Sequence, residues 1–354
     1  MTIASVIERT GLSCARIAVV QAHHAAIRSA SHSSMKAENW FQLRIVGVTA
    51  INARLRSGSC FARALIESRG LARSRCSGGI PNVTIRSVPD IRVNGVRLHY
   101  VEQGSGPEVV VFSHSYLVDW SHFKPQMDAL SDRYRCIAFD HRGHGRSERP
   151  SDGYDMENLY TDGVAFIEAM NCAPVHFVGL STGGFIGLRL GFRRPDLLRT
   201  LTLMDTSAEI EPTLKRFQYE LMMRMVRVIG TRAFAGYIMS LFFSKKSRHD
   251  PTREAELSRF RQMMIDNDND AIIQFGRGIF GRQSVVEHLA QVTVPTLVIV
   301  GEEDRSQPLA RAQRIADGIP GSELLIVPNA AHISSFDGAD VVSAALAKHL
   351  AQHE

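Results

Sequence analysis

The sequence predicts an α/β protein: a mostly parallel, eight-stranded sheet with helices on both faces and one helical insertion late in the chain. Three observations carry this expectation. From Asp90 onward, short runs rich in β-branched residues alternate with stretches whose apolar residues recur every three or four positions. The first two runs flank Gly95 as a hairpin. The alternation lapses once, between Glu209 and Val292, where only helical spacing continues.

In chain order the expected strands are residues 91–94 and 97–102 around Gly95, then 109–112, 136–139, 175–178, 201–204, 296–300 and 324–327. Helical patterns fall at 120–131, 156–170, 182–193, 308–319 and 339–349. Strand and helix repeats of this kind build a sheet covered on both faces. The core is therefore assigned to residues 89–208 and 293–354. Residues 209–292 are rich in Met and aromatic residues, near Phe217 to Met223 and again near 236–243, and read as a helical lid with its own small core.

Charge separates the beginning of the chain from this body. Of the 41 Lys/Arg and 36 Asp/Glu in 354 residues, residues 1–88 hold twelve and three, leaving 29 against 33. The sequence pI near 9.1 is thus a property of the leader. A mildly acidic body has no surplus of cations to neutralise phosphates, so nucleic-acid binding is excluded. The leader itself is rich in Arg and Ser and poor in acids, the composition of an organellar transit peptide. A disordered leader or an over-extended start, with Met35 as an internal start, is the simpler reading.

No secretory signal opens the chain, and its best early apolar run, residues 43–51, comes late and contains Arg44. No run approaches the roughly 20 apolar residues of a spanning helix. Five cysteines, an odd number without a CxxC pair, fit a reducing compartment rather than a disulfide framework. These features predict a soluble cytoplasmic protein with no membrane partner and no metal site. Oligomeric state is not legible.

Chemistry concentrates at Gly179-Leu180-Ser181-Thr182-Gly183. A Gly-x-Ser-x-Gly pattern arises by chance about 0.1 times in a chain of this length, so context decides. Here it follows an expected strand directly and opens an expected helix, the setting of a nucleophile elbow. The flanking glycines leave room for a sharp turn that lifts the Ser181 hydroxyl clear, and the helix start supplies amides, Thr182 among them, to a developing oxyanion.

Serine is a weak nucleophile unless a base takes its proton and an acid orients that base. Asp304 follows the expected strand 296–300, and His332 follows the strand 324–327. Ser, Asp, His is the chain order for an elbow of this kind, and both partners sit beyond carboxyl ends of strands, where open sheets build their sites. Glu302, Glu303 and Asp205 are rival acids.

From about Asp90 to its end the chain resembles the α/β-hydrolase family, specifically its 3-oxoadipate enol-lactonase, haloperoxidase-like and small esterase members. The elbow carries the resemblance together with Asp140-His141-Arg142-Gly143-His144-Gly145-Arg146-Ser147, similar to the family's Asp-x-Arg-Gly-x-Gly-x-Ser loop, and with the Gly-x-x-Asp segment at Gly301. The family's use of that arginine-glycine loop implies that His141 and His144 are structural residues. Phe112-Ser113-His114-Ser115-Tyr116 places Ser115 where relatives have glycine, and by position Tyr116 supplies the second oxyanion amide. A left-handed backbone at Ser115 would cost roughly 1 kcal/mol. Trp120 and Phe123 are candidates to line the pocket.

The resemblance implies acyl transfer on a small ester or lactone by Ser181, His332 and Asp304, with no cofactor. Cofactor-free perhydrolase or haloperoxidase-like chemistry and carbon-carbon bond hydrolysis are the alternatives for the same triad. From another class, a ligand-binding protein that kept the fold and lost turnover is the rival.

Overall fold

The computed structural model describes residues 90–354. The leader expected over residues 1–88, with Cys14, Cys60 and Cys76, lies outside the described residues.

The chain enters through a hairpin of β1 (Ile91–Val93) and β2 (Val96–Leu98), closed by Asn94 and Gly95 at φ 44° and 74°. Two consecutive positive φ values match the right-handed twist of the paired strands, which is why Asn-Gly serves there. A seven-stranded sheet follows: β3 (Tyr100–Gln103), β4 (Val109–Ser113), β5 (Arg135–Phe139), β6 (Val175–Leu180), β7 (Leu198–Met204), β8 (Thr296–Gly301) and β9 (Glu323–Val327). Their spatial order is β3-β5-β4-β6-β7-β8-β9, and only β3 runs antiparallel to its neighbour.

The strand expected over residues 97–102 is therefore two strands, and the main sheet has seven rather than eight. His99 is the break. Its amide donates to Ser147 Oγ at 2.9 Å and its carbonyl accepts the Asp140 amide at 2.8 Å. With both backbone groups taken by the 140–147 loop, the chain leaves one ladder at Leu98 and joins another at Tyr100.

Helices cover both faces. On one side α2 (Met156–Ala169), α3 (Thr182–Arg193) and α9 (Leu309–Gly318) pack Leu159, Phe166, Ile186, Leu190 and Ile315 against Val111, Ile137, Phe177 and Leu201 of the sheet. On the other, α1 (Lys124–Leu130) and α11 (Ala339–Ala351) pack Met127, Leu130, Leu346 and Leu350 against Val110, Phe112, Ala138 and Val178. Alternate residues of one strand serve opposite cores, as the two-residue period of a strand requires. Both described cysteines, Cys136 and Cys172, are free, and burial pushes the Cys136 thiol up to about 12.

Between β7 and β8 the chain forms α4 (Thr213–Ile229), α5 (Ala235–Phe242), α6 (Lys245–Arg248), α7 (Glu254–Asp266) and α8 (Asn269–Phe280) with no strand. Its two ends hold each other. Glu211 and Arg282, both buried, pair at 3.1 Å, Arg282 also donates to the Glu209 carbonyl at 2.8 Å, and Arg311 of α9 reaches Glu211 at 2.7 Å. A short α10 (Ser334–Asp337) precedes α11. Among the described residues no helix is long and apolar enough to cross a membrane.

Candidate active site

Ser181 stands between the last residue of β6 and the first of α3, at φ 55° and ψ −103°. Such a backbone is strained for a residue with a side chain and persists only when the surroundings over-determine it. Here the Ser181 amide donates to Met204 O at 2.8 Å and Thr206 Oγ1 donates to Ser181 O at 2.8 Å, so β7 and the turn after it hold the bend. A side chain at Gly179 would come within 2.3 Å of Gly183 O, and one at Gly183 within 2.0 Å of Ser113 O. Neither contact is tolerable, which explains both glycines.

His332, in the turn after β9, places Nε2 3.0 Å from Ser181 Oγ and Nδ1 2.8 Å from Asp304 Oδ2. The other Asp304 oxygen accepts the Ser306 and Gln307 amides at 2.7 and 2.9 Å. Asp304 is thereby fixed, so Nδ1 carries the donating proton and Nε2 is left to accept one from Ser181. Burial pulls the His332 pKa down, but the Asp304 carboxylate outweighs it and the imidazolium is favoured above the ordinary histidine value.

The rival acids are engaged elsewhere. Glu302 accepts the Asn329 amide and Glu303 the Lys245 amide, both at the surface. Asp205 is fully buried and accepts from Gly301 N at 2.8 Å and Ser334 Oγ at 2.5 Å, bracing the end of β8 against the His332 turn. Burial, and then the Asp304 charge, push its carboxyl up to about 8. A carboxyl that resists ionisation is a poor partner for an imidazolium.

Opposite the elbow lies the loop after β4. Gly183 N donates to His114 O at 3.2 Å, which ties this loop to the start of α3. Neither the Tyr116 nor the Thr182 amide meets a protein acceptor among the described residues, so both are free for an incoming oxygen. Ser115 does not take the left-handed conformation that would have carried that cost; in this loop it is Leu117 that does, at φ 68°. The Ser115 and Thr182 hydroxyls are buried without partners among the described residues.

Three histidines hold this loop. His114 Nδ1 donates to Ser115 O at 2.6 Å while its Nε2 accepts the His141 amide at 2.8 Å. His141 Nε2 donates to His114 O at 2.9 Å, and His144 Nε2 accepts the Leu117 amide at 3.1 Å. Burial drives His141 to about 3 and His144 to about 4, which keeps their rings neutral and the His144 lone pair available. The sequence expectation made His141 and His144 structural without seeing this task. Its visible signal was the density of histidine at 114, 141 and 144 in the loops after two expected strands.

The pocket candidates divide. Trp120 is half-buried, its amide donating to Asp140 Oδ1. Phe123 is fully buried with its ring 5.0 Å from Phe112, a core residue rather than a pocket wall, because the 120–130 segment turns that face to the sheet. Aromatic residues that sequence reasoning did not single out surround the site instead. Phe242 lies 5.3 Å from the His332 ring, and Phe275 and Phe280 lie 5.7 and 5.9 Å from the Tyr116 ring. Ser181 is 6% exposed. Two clefts, of 460 and 390 Å³, open on the 236–261 stretch and beside Glu303 and Arg305, and Ser181 lines neither. Among the described residues no group of three or more His, Cys, Asp or Glu is placed to hold a metal ion.

With this geometry in place, the chain belongs to the α/β-hydrolase fold family, whose pattern matches residues 108–339, and is an enzyme of that class. It is similar to 3-oxoadipate enol-lactonase 1 of Acinetobacter baylyi, 26% identical over 238 residues, 66% of this chain and 86% of that protein. It is similar to a putative carbamate hydrolase of Agrobacterium fabrum, 26% identical over 244 residues, 65% and 88% of the two chains. Among solved structures, the enol-lactonase of Burkholderia xenovorans superposes with a TM-score of 0.70 at 27% identity, covering 74% of this chain and all of that one.

Proposed function

We propose that the protein is a serine hydrolase that cleaves a small carboxylic ester or lactone through an acyl-enzyme. The observation that carries this is the unbroken contact from Ser181 Oγ through the His332 ring to Asp304. In this reading Ser181 attacks the carbonyl as His332 takes its proton at Nε2. His332 then returns the proton to the leaving oxygen and activates water for deacylation, while Asp304 holds Nδ1 and stabilises the imidazolium. The Tyr116 and Thr182 amides receive the oxyanion, Thr182 from the helix start that follows the nucleophile. Residues 209–292 act as the lid: Phe242 and Phe280 close over His332 and Tyr116, and entry of substrate requires the insertion to move. The similarity to an enol-lactonase favours an ester or lactone over other acyl groups.

A fluorophosphonate probe tests the reading, because it reacts readily with an activated serine and hardly at all with an ordinary one. Labelling of the native protein, lost together with p-nitrophenyl acetate hydrolysis in Ser181→Ala, is the expected outcome. Labelling that survives in Ser181→Ala places the nucleophile elsewhere. A folded native protein that neither labels nor turns over ester favours the reading as a ligand-binding protein on the same fold.

A further inference from the structure

Ten large apolar side chains are exposed among the described residues, and seven of them lie between Ile210 and Tyr237. Five belong to α4, and four of these are Leu214, Phe217, Leu221 and Val228, exposed by 69, 67, 39 and 72%. The spacing of these four, at three, four and seven residues, lines them along a single stripe of the helix. The opposite side of α4 buries Met223 and Val226, so the helix already has its packing partner and the outer stripe contributes nothing to the fold. Apolar surface concentrated this way marks a contact with something else.

Charge narrows what that is. Residues 213–232 contain five Lys/Arg and one Asp/Glu, whereas the remaining described residues contain 24 and 32. The single acid, Glu220, is occupied by Arg224 and Arg277, and Lys215, Arg216 and Arg232 make no ion pair among the described residues. A second copy docking on this face by a two-fold axis would bring cations onto cations. An apolar stripe bordered by cations is instead the pattern of a helix that lies in a lipid interface, its long basic side chains reaching the headgroups. At about 1.5 Å per residue α4 is too short and too charged to span a bilayer, and it has no need to.

We propose that the outer face of α4 docks the protein onto an anionic lipid surface, Leu214, Phe217, Leu221 and Val228 entering the acyl boundary and the flanking cations contacting the headgroups. The stripe lies on the insertion read above as the lid, but none of its four side chains is among those placed around Ser181, His332 and Tyr116.

The test uses the full chain, because residues 1–88, with twelve Lys/Arg against three Asp/Glu, bring an attraction to anionic vesicles of their own. Vesicles of roughly seven parts phosphatidylcholine to three of phosphatidylglycerol carry the required charge. The triple variant L214S/F217S/V228S retains the leader, so its difference from the native chain isolates the stripe. Its vesicle affinity is expected to fall about tenfold or more, as three buried apolar side chains would contribute. Its melting temperature stays unchanged, the sites being exposed. The Phe217→Trp variant adds emission, above that of Trp40 and Trp120, that shifts to the blue and is quenched by lipids brominated in the acyl chain. Equal vesicle binding by the triple variant, or added emission in Phe217→Trp that is indifferent to brominated lipid, overturns the proposal. So does a native dimer that the triple variant dissolves while vesicle binding persists, which would make the stripe a contact between copies.

Discussion

His144 Nε2 accepts the amide proton of Leu117 at 3.1 Å, and the next amide back along the chain is that of Tyr116, which has no acceptor among the described residues. The bond reaches from the loop after β5 into the loop after β4, so two segments 27 residues apart share one backbone geometry. Leu117 is the residue with positive φ, and the hydrogen bond falls where the backbone is strained.

If the Tyr116 amide receives the oxyanion, His144 positions it without touching substrate. His144→Leu is then expected to lower kcat about tenfold to a hundredfold, the scale of a misplaced oxyanion donor, with KM little changed. His144→Gln keeps an acceptor and recovers most of the loss. Equal falls in kcat for both variants, or a rise confined to KM, assigns His144 to packing alone.

The elevated pKa of His332 sets a direction for pH dependence. If His332 is the base for Ser181, it must be neutral to accept the proton, so activity is lost as pH falls through the folded pKa. Because Asp304 raises that value despite burial, the acidic limb of kcat/KM lies above 6.5. Asp304→Asn removes the charge. The limb should move to lower pH while kcat drops by about 10⁴. A limb that stays in place would make another acid the partner, Asp205 first among them.

Gly183 separates a backbone collision from an ordinary substitution. A methyl group there meets Ser113 O at 2.0 Å, and strands β4 and β6 are hydrogen-bonded neighbours that cannot part. Gly183→Ala should cost more than about 3 kcal/mol and abolish activity. Gly321, at φ 74° with open space around it, is the control: Gly321→Ala should cost only about 1 kcal/mol. Urea unfolding of the two variants measures the contrast.

Glu211 and Arg282 are both almost wholly buried; burial alone would raise the Glu211 carboxyl, but Arg311 and Arg282 hold it below the usual range. Glu211→Leu leaves Arg282 inside without its counter-ion and should cost about 3 kcal/mol. The double variant E211L/R282L should regain part of that loss, because Arg282 no longer stands inside without a counter-ion and Arg311 keeps Glu209 at 3.5 Å. A double variant that melts no higher than Glu211→Leu would show that the pair's hydrogen bonds, rather than its charges, hold the ends of the insertion.

The legible part of the site was local. Glycine at 179 and 183, and the placement of Asp304 and His332 just past strands, follow from backbone chemistry within a few residues, and Ser181, His332 and Asp304 do lie in contact. The parallel sheet was legible for the same reason, since each βα unit announces itself by a change of period. What escaped depends on distant segments meeting. The 97–102 run reads as one strand until Ser147 and Asp140 capture the backbone of His99. Phe123 has the spacing of either a pocket or a core residue, and only its contact with Phe112 decides. Ser115 occupies a glycine position in the pattern, yet the strained φ belongs two residues later, a shift no composition rule records.

The bond between Glu211 and Arg282 also bears on how such a protein can be rebuilt. Because entry and exit of the 212–281 segment are fastened to each other and to Arg311 of α9, the sheet receives the same two anchor points whatever chain runs between them. A helical segment from a relative, joined at these two residues, would arrive on a prepared base, while Ser181, His332 and Asp304 stay on a scaffold that never registers the change.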